Sequence, residues 1–148
     1  DSGHDLTLIC SDLSELGRYA QVGNAQFRFL KAHTPGPYTF ILRGTREVPK
    51  RLLHKKHDTI GLRVPSHPVV QAILAELGEP ILSSTLLLYG EDVPLSEPWE
   101  IRERLEHQVD LVIDGGACGL TPTTVVDLTT DTPVVLRYGK GDASDFET

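Results

Sequence analysis

TIGLRVPSHPVVQAILAELG, residues Thr59 to Gly78, carries a strand, a turn and a helix in immediate succession. Thr59 to Val64 is rich in β-formers, and Pro65 ends the run. Ser66 and Pro68 then open a helix in which Val69, Val70, Ile73, Leu74 and Leu77 form one apolar stripe, before Gly78 stops it. If Ile73 is fully buried, its replacement by Ala should cost about 2–5 kcal/mol.

The same alternation continues on both sides. Leu6 to Cys10 reads as a strand, Ser11 and Asp12 can cap a helix running towards Gln21, and Asn24 can cap a second helix containing Phe27 and Leu30. Thr34-Pro35-Gly36-Pro37 breaks that helix and feeds a strand, Tyr38 to Leu42. Pro49 to Lys56 reads as a basic helix with Leu52 and Leu53 inward. Beyond Gly78, Ile81 to Leu88 reads as a strand, Trp99 to His107 as a charged helix, and Val109 to Ile113, Thr124 to Leu128 and Val134 to Leu136 as three short strands. Strands interleaved with helices and three late strands together predict an α/β or α+β domain with a twisted, mixed, open sheet. No internal boundary is visible, so residues 1–148 read as a single domain.

Apolar residues make up 39% of 148 residues, enough for a core, and no apolar run approaches the roughly 20 residues that span a bilayer. Cys10 and Cys118 lack CxxC spacing, which argues against a disulfide framework or a zinc site, and the six histidines lack ligand spacing. With no leader pattern at the start, the expected location is cytoplasmic, away from membranes. The net charge of −7 hides an asymmetry. Arg43, Arg46, Lys50, Arg51, Lys55, Lys56 and Arg63 against Glu47 and Asp58 give a local +5, leaving −12 on the remainder. Such a segment can contact an anion or RNA locally while the body repels nucleic acid; a solvated basic face is the plainer reading.

Four places carry candidate chemistry. Arg63 stands at a strand end beside Ser66 at a helix start, where a guanidinium and free amides suit a phosphate or carboxylate; a surface ion pair is the alternative. Ser83, Ser84 and Thr85 put hydroxyls near another strand end. Thr121 to Thr124 and then Arg137-Tyr138-Gly139 repeat the combination of hydroxyl and cation, and Gly36 permits close backbone approach. Neither GxGxxG, P-loop, GxSxG nor HExxH occurs, and no catalytic residue is assigned.

SGHDLTLIC, TPGPYTFIL, TIGLRVPSHP, GEPILSSTLLLYG, PTTVVDLT and VVLRYGKG, in that order, resemble the YrdC/YciO family, which includes the threonylcarbamoyl-adenylate synthases of tRNA modification. LSSTLLLYG and EPWEIRERLEHQVDLVIDGG bring the chain nearest to the YciO branch. The resemblance implies an open sheet with a concave basic groove able to hold a nucleotide or adenylate, and double-stranded RNA or tRNA as a further partner. It implies ATP as a ligand, with Mg only alongside ATP. By motif, Arg63 would contact the nucleotide or the amino-acid carboxylate, Thr85 and Arg137 nucleotide or phosphate, and Ser84 and Thr123 the amino acid; the basic residues Arg43, Arg46, Lys50, Arg51, Lys55 and Lys56, singled out by local charge, are the candidates for RNA. The synthases carry Asn where this chain has Leu87, which supplies no ligand atom, and the family's N-terminal portion would precede Asp1. The implied function is a YciO-type nucleotide- or RNA-binding protein with weak or no synthase activity. An active L-threonylcarbamoyladenylate synthase and a regulatory or interaction module of a longer protein are the alternatives.

Overall fold

The computed structural model describes residues 6–84, 95–116 and 121–147. Its elements are β1 (Thr7–Ile9), α1 (Leu13–Tyr19), α2 (Asn24–His33), β2 (Tyr38–Arg43), β3 (Thr59–Arg63), α3 (Pro68–Leu77), β4 (Ile81–Ser83), α4 (Pro98–Leu105), β5 (Thr124–Asp127) and β6 (Val134–Arg137). Single 3-10 turns occupy Lys50–Leu52 and Ser144–Phe146. The six strands form one mixed sheet in the order β4-β1-β3-β2-β5-β6. The pairs β1–β3 and β2–β5 are parallel and the other three antiparallel. The chain divides into two compact units, residues 1–84 with 123–148, and residues 85–122.

Side chains alternate across the pleat, so each strand offers one set to each face. Leu8, Leu62, Phe40, Leu42, Val126 and Leu128 enter the core, where Leu16 of α1, Leu30 of α2 and Phe146 meet them. Burying each such side chain contributes about 1.5–3 kcal/mol. The helices that cover this face are locally specified. Asp12 Oδ1 accepts from Glu15 N at 2.8 Å, while the Glu15 carboxylate accepts from Ser11 N, so α1 is capped from both sides. Gly23, not Asn24, is the N-cap of α2, and Gln26 Oε1 takes the Gly23 amide proton at 2.9 Å.

Four local expectations change. The basic segment makes only the turn Lys50–Leu52 instead of a helix to Lys56, although Leu52 and Leu53 do pack inward. Arg51 and Lys55 would be like charges one helical turn apart, and His54 N instead donates to Thr59 O, starting the return into β3. His67, not Ser66, caps α3, its Nδ1 accepting from Val69 N at 3.2 Å, and Gly78 ends the helix at φ +73° as expected. Of the α3 stripe only Leu74 is fully buried, Ile73 is half-buried and Leu77 is 53% exposed. Val109 to Ile113 forms no strand: among the described residues no ladder stands beside it to pair its backbone, and Leu111 is 73% exposed. In that second unit α4 stands with Arg102 and Glu106 paired at 3.4 Å. No described helix is long and apolar enough to cross a membrane.

Candidate functional site

Opposite the core, the sheet presents a second face, and the ladder fixes what stands on it. Thr7 pairs with Gly61 and Ile9 with Arg63 across β1 and β3. Phe40 pairs with Leu62, which sets Thr39 next to Arg63, and Thr39 pairs with Val125, which pairs in turn with Arg137. Arg63, Thr39, Val125 and Arg137 therefore form one row on one face, at the end of the sheet where β1 and β3 finish. Arg137 reaches this face through an irregularity. The register shifts between Val125 and Val126, so that Val126 opposes Val135 but Val125 opposes Arg137, and Leu136 is the extra residue. In an unbroken ladder residue 137 would share the core side with Val135; the bulge re-aims it.

Arg137 is held in place by Thr123, with Nε donating to the carbonyl oxygen and Nη2 to the hydroxyl, each at 3.0 Å. Thr123 Oγ1 lies 2.8 Å from Thr39 Oγ1. The neighbouring Thr124 hydroxyl points to the other side, donating to Gly141 O at 2.6 Å and accepting from Gly139 N, which ties down the chain after β6. Arg63 is different. Among the described residues its Nε is buried without a hydrogen-bond partner, and burial first, then the charge of Arg137, lower the pKa of its guanidinium. A desolvated cation beside a second cation, with a donor unspent, is a costly arrangement that an oxyanion would relieve. Gly61 is packed closely beside the pair, since a Cβ there would stand 3.1 Å from Thr39 Cγ2 and 3.2 Å from Thr7 Oγ1.

The structure thus brings Arg63, Arg137 and Thr123 together. Ser84 follows Ser83, which pairs with Thr7, so it belongs to the far end of the sheet, about 10 Å along the strands from the Arg63 row. Thr85 and Leu87 lie outside the described residues. Arg43 ends β2, and Arg46, Lys50, Arg51, Lys55 and Lys56 lie in the connection from β2 to β3; all six are exposed. That connection leaves β2 at the end away from Arg63, about 13 Å distant along the strands, so the basic segment and the arginine pair are separate features. Sequence alone does not mark Thr39 and Gly61 as site residues; position 39 reads as one more strand residue until the pairing shows its neighbours. A cleft of about 470 Å³ at the Arg63 end, lined by Ser11, Lys31, Thr34, Pro35, Ser66 and Gln71 among others, does not include the arginine pair.

These observations define a mixed-sheet α/β domain whose open face is lined by cations and hydroxyls. The profile of the Sua5, YciO and YrdC family, described as telomere recombination, matches residues 1–139, and the chain belongs to that family. Escherichia coli YciO is 59% identical over 144 residues, 97% of this chain and 70% of that protein. Its crystal structure superposes with a TM-score of 0.93, covering 99% of this chain and 71% of the other. A threonylcarbamoyl-AMP synthase of Xanthomonas campestris is 35% identical over 112 residues, 75% of this chain and 59% of the synthase. The crystal structure of P. abyssi Sua5 complexed with L-threonine matches with a TM-score of 0.82 at 26% identity, covering 94% of this chain and 41% of the other. The expected family and mixed open α/β sheet are therefore as read from the sequence.

Proposed function

We propose that this chain is a YciO-type protein that binds a nucleotide or adenylate on the open face of its sheet, with weak or no threonylcarbamoyl-adenylate synthase activity. The observation that carries the reading is the buried Nε of Arg63, without a partner among the described residues and facing the charge of Arg137. A phosphate or carboxylate there supplies the acceptor that no described residue provides, and two guanidinium groups offset the cost of bringing charged reactants together. Relatives point the same way: one is a threonylcarbamoyl-AMP synthase and another is a Sua5 complexed with L-threonine. By motif Thr123 and Ser84 would serve the amino acid and Thr85 the nucleotide. ATP would bring Mg with it, the ion being held largely by the phosphates. Leu87 in place of the synthases' Asn is the reason for placing synthase activity low.

Titration calorimetry with AMP, ATP and L-threonine, at low salt, tests this proposal. Binding by the wild type and its loss in Arg63→Gln are expected, and absence of any binding would end the proposal. Release of pyrophosphate dependent on both threonine and bicarbonate would instead favour a working synthase. The exposed cations between Arg43 and Lys56 favour a second partner, double-stranded RNA or tRNA, engaged at the other end of the sheet. Lys50→Ala combined with Arg51→Ala should reduce the salt slope of RNA binding by about 1 for each of the two side chains that neutralises a phosphate. An unchanged slope would remove that role.

A further inference from the structure

Thr39 is 8% exposed, and the only hydrogen bond of its hydroxyl among the described residues is to Thr123 Oγ1. Arginine can only donate, so Thr123 Oγ1 accepts from Arg137 Nη2. Two hydroxyls carry two hydrogens, and the bond between them uses one. The other hydrogen has no acceptor among the described residues.

The order of the chain decides which oxygen holds it. From Arg137 to Thr123 to Thr39, each group accepts from one side and donates to the next, and the cation polarises each hydroxyl in turn. The reverse order aims two donors at Thr123 Oγ1 and gives up that polarisation. In the polarised order the spare hydrogen is that of Thr39, which stands in the same row as Arg63, whose Nε also has no partner among the described residues.

We infer that Thr39 is a direct binding residue, its hydroxyl donating to an oxygen of the same oxyanion that Arg63 and Arg137 hold. This rests on the proposed anion-binding role of the open face. It narrows the ligand at this end of the sheet to an oxyanion with at least two acceptor oxygens, a carboxylate or a phosphate. Thr39 adds distance-sensitive selectivity to what the two cations supply as charge.

The test is calorimetric titration of wild type, Thr39→Ser and Thr39→Val with L-threonine, AMP and inorganic phosphate in separate arms, which separates a carboxylate from a phosphate source. Thermal unfolding of each free protein is measured alongside. For any probe that binds the wild type, Ser should stay within about twofold and Val should weaken binding by about tenfold or more. A hydroxyl with a purely structural task would lower the unfolding midpoint and leave affinity unchanged. Equal affinity of wild type and Thr39→Val would overturn the inference and leave the anion reading standing, as would equal losses in Ser and Val. If Val does not fold, Thr39→Ala takes its place with the same two outcomes. A wild type that binds none of the three probes overturns both.

Discussion

Arg137 grips Thr123 twice, through its carbonyl oxygen and its hydroxyl, and this fixes a second cation within electrostatic reach of Arg63. The pair stands on the sheet without an acceptor for Arg63 Nε among the described residues, so the arrangement proposed to suit a ligand opposes stability in its absence.

Arg63→Gln should therefore separate stability from binding. The amide removes a desolvated charge and its repulsion with Arg137, so the midpoint of the free protein should be unchanged or higher. Affinity for AMP or L-threonine should fall by about tenfold or more, as expected for loss of a charge-assisted bond. Thermal unfolding with and without each ligand reads both effects, and a large loss of free-protein stability would mean that Arg63 has a partner in solution.

Gly61 should tolerate little on the open face. Ala would press on Thr39 and Thr7 at 3.1–3.2 Å, and Val would drive its branches further into them. Gly61→Val is expected to fold at a cost of about 1–3 kcal/mol and to abolish ligand-induced stabilisation. A shift equal to that of wild type on adding AMP or L-threonine would show that binding does not depend on the placement of Thr39 and Thr7 around Gly61.

Within α3, Leu74 and Ile73 should differ. Leu74→Ala empties a fully buried site and should cost about 2–5 kcal/mol, whereas half-buried Ile73 should cost clearly less when truncated. Urea unfolding of the two variants side by side checks the order.

Cys10 sets an alkaline limit. Its thiol is pushed up from 9.0 to about 12, by burial first and then by the charges of Glu15 and Asp12. Above pH 9 the unfolded thiol ionises while the native one stays protonated. Its contribution is thus complete below pH 9 and declines by about 1.4 kcal/mol per unit as pH rises towards 12. Unfolding between pH 8 and 10.5 should show a shallower loss in Cys10→Ala than in wild type; parallel slopes would refute the assignment.

Much of the fold could be read because local signals agreed with it. Thr59 to Arg63, Tyr38 to Arg43 and Thr124 to Asp127 are β-rich runs between turn residues, and Pro68 and Gly78 bracket α3 in both sequence and structure. What failed depended on partners outside the window being read. Val109 to Ile113 is as apolar as a strand but has none beside it, and Lys50 to Lys56 has helical spacing but like charges that oppose a second turn. In the candidate site, Arg63, Thr123 and Arg137 were visible as cations and hydroxyls at strand ends. Thr39 was not, because its meaning comes from residues 84 positions away, and neither was the register shift at Leu136.

That register shift and the strand it interrupts also set a schedule. β5 and β6 leave the ribosome after β1 to β4, and they bring Thr123's grip and Arg137 with them. A nascent chain that has already assembled β1 to β4 holds Arg63 without its companion. The proposed capture of an oxyanion would thereby wait for translation of β5 and β6, and a chain stalled before them would be folded in part yet blind to such a ligand.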